Sequence, residues 1–336
     1  MTDVIPPDAS TALHVVLGAG PVGVTLASQL AGRGRQVRLV SRRGLGPTLP
    51  GVSLVRADAS SAAALRHATA GATVIYNALN PPYHRWPAEW PTLHRHVLDA
   101  ATAHGATLVL VDNLYAYGDA DGAPLTSTLP PAATFSKGRV RAQMGASLIA
   151  AGRTSELRVV IVRASDFFGP HVRVSSFGER TVPAVLAGRS VGVIGAADVP
   201  HSLTYVPDVA RTAITLATDP RAWGRIWHVP SPPALTQRDA IQALARVAGT
   251  MPARGFVTVR PLPHLLLRAL GLFSAPMREL LEVEYQFTKP FVIDATDTET
   301  TFGLHATPFD EALAATVEWY RNAAPVTHPG PAPAAA

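Results

Sequence analysis

Three glycines, Gly18, Gly20 and Gly23, form a G-x-G-x-x-G, read in full as Gly18-Ala19-Gly20-Pro21-Val22-Gly23. The motif follows a short apolar, β-branched run from His14 to Leu17. It opens a stretch with apolar residues at helical spacing: Val24, Leu26, Ala27 and Leu30. A second apolar run, Val37 to Val40, closes the unit. Strand, glycine turn, helix and strand in that order are the setting in which the motif holds the pyrophosphate of a dinucleotide. The first glycine permits the tight turn, the second lets backbone approach the phosphates, and the third lets the helix pack on the strand. Unpaired N–H groups and the positive end of the helix then face the anion. The alternative is a glycine-rich turn with no ligand.

The end of the second strand bears on which dinucleotide. Eighteen residues past Gly23, where an NAD-binding unit carries Asp or Glu for the ribose hydroxyls, the chain reads Ser41-Arg42-Arg43. No carboxylate stands there to repel a 2′-phosphate, and two guanidiniums can bind one through charge-assisted bonds. This pattern predicts NADP(H), with Ser41, Arg42 and Arg43 as contacts. Solvated surface arginines are the plainer alternative.

The bulk of the chain narrows the class. Its 336 residues, 47% hydrophobic and 16% charged, are enough for a large α/β domain and a smaller one. No run is long and apolar enough to span a bilayer, and Met1 to Ser10 lacks the apolar core of a signal peptide, so a cytoplasmic protein is expected. Cysteine is absent, which excludes disulfides, thiolate catalysis and Cys–zinc sites. The net charge is +5, and all but two of the 29 basic residues are arginine; the lysines are Lys137 and Lys289. These arginines are scattered, whereas nucleic-acid binding needs a concentrated basic face. The histidines His84, His94, His96 and His104 show no metal-ligand spacing, so no metal is expected.

Beyond the first unit, strands are expected at Gly51–Asp58, Ala72–Ala78, Thr107–Val111 and Leu157–Val162. Helices are expected at Ser60–Ala70, Thr92–His104, 134–151, Thr181–Leu186 and Asp208–Ala217, with a strand-like Phe291–Ile293. A loop rich in proline and aromatics (Tyr83, Trp86, Trp90) precedes Thr92. Strands alternating with helices predict an α/β fold with a doubly wound parallel sheet. Ligands of such sheets sit beyond the carboxyl ends of the strands. That gathers Gly18–Gly23, Asp58, Ala78–Pro82 and Asn113–Tyr117 around one crevice.

The ordered landmarks resemble the extended short-chain dehydrogenase/reductase family, which includes sugar-nucleotide epimerases and dehydratases. They are LGAGPVG, Asp58, Tyr117-Gly118, Arg163 with Phe168-Gly169-Pro170, TYVPDVAR at 204–211 and FGLHATPFDEALAATVEWY at 302–320. The resemblance covers about residues 12–321. It implies a Rossmann dinucleotide-binding domain (12–170 and 203–230) and a smaller, discontinuous, mostly helical substrate domain (171–202 and 231–322). Residues 323–336, alanine and proline without periodicity, are expected to be a disordered tail. Cofactor contacts are implied at Asp58 and Ala59, at Ala78, and beyond the sixth strand at Ala164, Ser165 and Phe168. Pairing through Rossmann helices, frequent in the family, makes a homodimer the expected assembly.

Departures from the family pattern matter for chemistry. The phosphate loop usually begins one glycine earlier, where Leu17 stands. Family catalysis uses Tyr-x-x-x-Lys with a Ser or Thr: the lysine binds the nicotinamide ribose and the phenol transfers the proton. Lys137 falls on the lysine position, but Ala133 occupies that of the tyrosine and Asn113 that of the hydroxyl residue. Asn113 and Ser136 are therefore the candidates for polarising a carbonyl, with Lys137 as the ribose contact. Tyr115 and Tyr117 read as packed aromatics, and Asp166 as a turn cap or a substrate contact. The expected activity is an NADPH-dependent ketoreductase acting on a bulky aromatic, polyketide-type ketone that brings its own proton. An NADP(H)-occupancy sensor and a sugar-nucleotide epimerase or dehydratase are the alternatives.

Overall fold

Val15, Val16 and Leu17 are almost wholly buried, and the strand they build, β1 (Leu13–Leu17), lies inside a seven-stranded sheet. The computed structural model describes residues 12–263, 272 and 281–323. The sheet also contains β2 (Gln36–Ser41), β3 (Val52–Arg56), β4 (Ala72–Asn77), β5 (Thr107–Asn113) and β6 (Val159–Ala164). Short strands β7 (Asp166–Phe168), β8 (Val191–Val193), β9 (Pro200–His201) and β10 (Leu203–Tyr205) follow. The chain then returns with the last sheet strand, β11 (Arg225–His228), before β12 (Leu235–Thr236) and β13 (Val259–Pro261). The order is β11-β6-β5-β4-β1-β2-β3, with every neighbour parallel. Strands therefore run outward from β1 in one direction and, from β4, in the other. The reversal between β1 and β4 is the point where such sheets open a ligand crevice. Leu17 there stands between Val40 and Asn77.

Both faces of the sheet are covered, as strands apolar throughout require. On one side α1 (Pro21–Gly32) and α6 (Val206–Thr218) bury Leu26, Leu30, Val209 and Ala213 against it. On the other, α2 (Ala62–Ala68), α3 (Trp86–His104) and α4 (Ser136–Thr154) contribute Leu65, Trp90, Val97, Met144 and Leu148. A third cluster joins Phe168 and Phe177 to α5 (Val182–Leu186), α7 (Gln237–Ala248) and the helix Phe309–Asn322. No helix among the described residues is long and apolar enough to cross a membrane.

Helix α3 begins at Trp86, not at Thr92 as the prolines suggested. Pro87 lies in its first turn, where a missing N–H costs nothing, and Pro91 is carried inside the helix. Burial of two indoles fixes the early start: Trp86 is 1% exposed and Trp90 fully buried. The Trp86 indole N–H donates to the Pro81 carbonyl at 2.9 Å, and the Arg141 guanidinium lies 4.2 and 4.6 Å from the two rings. Of the three loop aromatics, both tryptophans thus belong to the core, and Tyr83 alone keeps part of its surface open. Elsewhere β5 runs on through Asn113, α4 runs from Ser136 to Thr154, and Phe291 and Ile293 form isolated bridges to His201 and Leu125. Residues 264–271 and 273–280 of the expected helical region, and 324–336 of the expected tail, lie outside the described residues.

Beneath the crevice lies a buried ionic cluster. The Asp112 carboxylate accepts from Arg163 Nε at 3.0 Å and pairs with Arg141 Nη1 at 3.3 Å. Two guanidiniums share one carboxylate, which leaves this part of the core net positive.

Two buried histidines tie stability to pH. Burial pushes His14, in β1, down to about 4, aided by the Arg35 charge, and burial likewise pushes His228, in β11, down to about 4. Both are uncharged in the folded protein near neutrality, whereas each takes a proton in the unfolded chain near the ordinary 6.5. Their contribution is fully present above about pH 6.5 and is lost as the pH falls toward about 4. The urea midpoint should accordingly drop between about pH 7 and about pH 5; a midpoint flat across that window would contradict the assignment.

Candidate active site

The glycine turn has the geometry its spacing requires. Gly18 adopts φ +103°, and a Cβ there would lie 2.6 Å from the Ala78 carbonyl oxygen. Its N–H donates to Val40 at 2.9 Å, and the Ala78 N–H donates to Leu17 at 2.9 Å, so the turn is wedged between the ends of β2 and β4. A Cβ on Gly23 would sit 1.8 Å from the Gly18 carbonyl oxygen, so only glycine lets α1 approach this closely. Gly20 differs: it caps α1 in an extended conformation, and nothing lies within 4 Å of where its Cβ would be. No side chain caps the helix and no acid occupies its first turn, which begins with Pro21 and Val22. Free N–H groups, an open approach over Gly20 beside Ala19 and no competing carboxylate fit a pyrophosphate.

Ser41 ends β2, and its hydroxyl donates to the Leu45 carbonyl (2.9 Å) and accepts from the Leu45 N–H (3.1 Å). That closed loop projects Arg42 and Arg43 into solvent, and neither makes an ion pair or hydrogen bond among the described residues. Asp58 is exposed, and its carboxylate accepts from the Ser60 N–H at 2.9 Å. The Ser60 bonds, with a smaller contribution from the Arg42 charge, hold it below the usual carboxylate range. Ala59 is buried, its carbonyl 3.0 Å from His96 Nδ1. Arg42 and Asp58 thus stand on the same side of the crevice.

The opposite end is formed by β4, β5, β6 and α4. Asn113 closes β5, and its amide oxygen accepts from the Tyr115 N–H at 3.1 Å, leaving the NH₂ as the available donor. Ser136 is the half-buried first residue of α4. Lys137, 1% exposed, pairs with the Glu282 carboxylate, and its ammonium lies 5.7 Å from the centre of the Tyr83 ring. Ala133 packs against Gly118 and Gly138, so no phenol stands four residues before the lysine. Ala164, fully buried, ends β6, and the Ser165 N–H donates to Thr204 at 3.0 Å while its buried hydroxyl has no partner among the described residues. Phe168 has its ring enclosed by Phe177, Tyr205 and Phe309, so only its backbone is open to a cofactor.

Two groupings escaped the sequence. The Tyr83 and Tyr115 hydroxyls lie 2.6 Å apart, and burial pushes both phenols above the ordinary value. From Tyr83 a chain of ring contacts continues through Tyr115, Phe135, Tyr285 and Phe291, with centroids 5.6 to 6.3 Å apart. The signal for it was only that Tyr83 stood in an aromatic loop. Second, the Asp166 carboxylate accepts from the Ser176 hydroxyl at 2.7 Å and lies 3.5 Å from His201 Nε2. Burial would push Asp166 up, but the His201 and Ser176 interactions prevail and hold it below the usual range. Around it the Tyr285 hydroxyl, the Gln286 NH₂ and His201 Nε2 are buried without a hydrogen bond among the described residues. Asp166 is therefore more than a turn cap. Tyr117, by contrast, is bonded to His228 Nε2 at 2.7 Å and is structural. No cluster of three or more metal-ligating side chains occurs among the described residues.

Known structures share the fold. A UDP-glucose 4-epimerase from Thermotoga maritima superposes with a TM-score of 0.74 at 16% identity, over 92% of this chain and 98% of that one. A dTDP-glucose 4,6-dehydratase from Bacillus anthracis, in complex with NAD, gives 0.73 at 15% identity, over 93% and 97%. A UDP-glucuronic acid 4-epimerase from Bacillus cereus, also with NAD, gives 0.73 at 16%, over 92% and 98%. At such identities the likeness is one of fold. No curated protein matches the chain in sequence. The family model for the NAD dependent epimerase/dehydratase family matches residues 14–229, and the chain belongs to that family.

Proposed function

We propose that this protein is an NADP(H)-dependent ketoreductase that reduces a carbonyl of a bulky aromatic substrate to an alcohol. The observation that carries the cofactor choice is the exposed Arg42–Arg43 at the tip of β2, unpaired among the described residues, with no acid there to bind ribose hydroxyls. Gly18, Ala19, Gly20, Pro21, Val22 and Gly23 would hold the pyrophosphate, Asp58 and Ala59 the adenine side, and Ala78, Ala164, Ser165 and Lys137 the nicotinamide side. When bound, the cofactor supplies a hydride. The run of rings from Tyr83 to Phe291 favours a flat, aromatic substrate. Asn113 and Ser136 polarise its carbonyl, and Lys137 adds positive charge beside the developing alkoxide. A retained lysine with a missing tyrosine is also similar to the simocyclinone ketoreductase, an aromatic-polyketide reductase of antibiotic biosynthesis. A cytoplasmic homodimer accords with this reading.

With alanine at 133, the proton comes either from an acidic group beside the substrate ketone or from another phenol of the chain. The sugar-nucleotide epimerase or dehydratase reading draws on the family and on the UDP- and dTDP-sugar enzymes that share the fold. Incubation with NADPH and aromatic ketones, or with UDP- and dTDP-glucose, separates the two through cofactor oxidation and product mass. Tight NADPH binding with no turnover of either class would make the protein a sensor.

Calorimetry tests the cofactor assignment. A charge-assisted bond is worth about 1.5–3 kcal/mol, so NADPH should bind roughly tenfold or more tightly than NADH. The double variant Arg42→Ala, Arg43→Ala should abolish that preference, and equal affinities in the unaltered protein would remove the assignment. Gly20→Val places a side chain in open space on extended backbone. As a poorer N-cap than glycine it should cost about 1 kcal/mol of stability yet eliminate binding of both dinucleotides. Unimpaired binding in that variant would show that the phosphates lie elsewhere.

A further inference from the structure

We propose that Tyr83, delivered by the loop after β4, takes over the proton-donating role of the missing family tyrosine, with Tyr115 as its relay partner. This rests on the reductase reading of the crevice. The two hydroxyls lie 2.6 Å apart, and their mutual bond uses one of their two protons. The other proton has no acceptor among the described residues. Tyr115 is 7% exposed and enclosed by Trp86, Phe135 and Tyr83, whereas Tyr83 keeps part of its surface open. The arrangement that fits is Tyr115 donating to Tyr83, and Tyr83 donating outward into the crevice.

The surroundings suit a phenol that must be protonated at rest and carry negative charge for a moment. Lys137 lies 5.7 Å from the centre of the Tyr83 ring. Arg141 sits behind it, stacked on Trp86, whose ring is 4.7 Å from that of Tyr83. Because Asp112 is shared with Arg163, the charge of Arg141 is only partly neutralised. Other charged or titratable groups around the pair are Asp166, whose charge opposes ionisation, Tyr285, and Glu282 on Lys137. Burial keeps the phenol protonated, while the Tyr115 bond and Arg141 favour its ionised form.

The step balances. NADPH, when bound, would supply the hydride for the carbonyl carbon. As the π pair moves to the carbonyl oxygen, the Tyr83 O–H bond breaks and the proton joins that oxygen. Tyr115 shares its proton with the phenolate, and a proton from solvent reaching the open side of Tyr83 restores the pair after product leaves. Neither phenol lies at the family spacing from Lys137; the lysine meets its tyrosine through space, from a different loop.

The test uses the full chain, NADPH and whichever aromatic ketone the unaltered protein turns over. Tyr83→Phe should lower kcat about 100-fold or more, within the range of general-acid catalysis, with KM and the NADPH dissociation constant changed by less than about threefold. Tyr115→Phe, which removes only the relay, should lower kcat by a smaller factor and shift its pH profile. In cofactor-free protein, difference ultraviolet titration with base, unaltered protein minus variant, should show the phenolate missing from Tyr83→Phe forming ahead of the one missing from Tyr115→Phe. Turnover by Tyr83→Phe within about threefold of the unaltered protein would overturn the proposal. It would leave the reductase reading standing, with the substrate as the proton source. No turnover of any ketone by the unaltered protein with NADPH bound would remove the reductase reading and this proposal with it.

Discussion

The carbonyl oxygen of Gly18 is held against the α-carbon of Gly23 so closely that a methyl group there would lie 1.8 Å from it. That contact locks the first helix onto the turn that follows β1. The same turn is bonded to Val40 at the tip of β2 and abuts Ala78 at the end of β4. One backbone approach therefore sets three features at once: the direction of the free N–H groups of α1, the position of Arg42 and Arg43, and the point from which the chain leaves toward Tyr83. Its small apolar and backbone contacts explain why the crevice forms at the strand reversal before any charged residue takes part.

Charge then gives the crevice its polarity. At the adenosine end two arginines stand in solvent, where a phosphate would be desolvated little and bound by direct pairing. At the other end the positive charge is buried: Lys137 on Glu282, and Arg141 and Arg163 on the single carboxylate of Asp112. Stacking of Arg141 on Trp86 and Trp90 makes this tolerable, because guanidinium is weakly hydrated and accepts an aromatic face in place of water. A surplus of fixed positive charge beside a part-buried pair of phenols is what a site needs if negative charge is to pass from substrate oxygen to protein and back. The Asp166–His201–Ser176 group, with polar atoms of Tyr285 and Gln286 unpartnered among the described residues, lies beside the third apolar cluster.

What could be read from the chain was what lies close together along it. The glycine spacing, the arginines ending β2 and Lys137, one of two lysines in an arginine-rich chain, are local patterns. The sheet followed from alternating apolar strands and helices. The rest depended on contacts between distant segments. Tyr83 and Tyr115 are 32 residues apart, and Lys137 and Glu282 are 145 apart; no periodicity announces either pair. Prolines 81, 82, 87 and 91 read as loop, but burial of Trp86 and Trp90 outweighed them and started α3 six residues early. Phe168, one of a run of motif residues, turned its ring into the third cluster, because the pattern gave its position and not the direction of its side chain.

The central claim is that one dinucleotide spans the strand reversal, its extra phosphate on Arg42 and Arg43 and its nicotinamide ribose on Lys137. A crystal structure of the protein with NADP⁺ tests it most directly. The account predicts a 2′-phosphate in contact with both guanidiniums, pyrophosphate over Gly20, and Lys137 turned from Glu282 to the ribose hydroxyls within reach of Tyr83. Density that places the adenosine phosphate away from Arg42 and Arg43, or a nicotinamide ribose out of contact with Lys137, would contradict it.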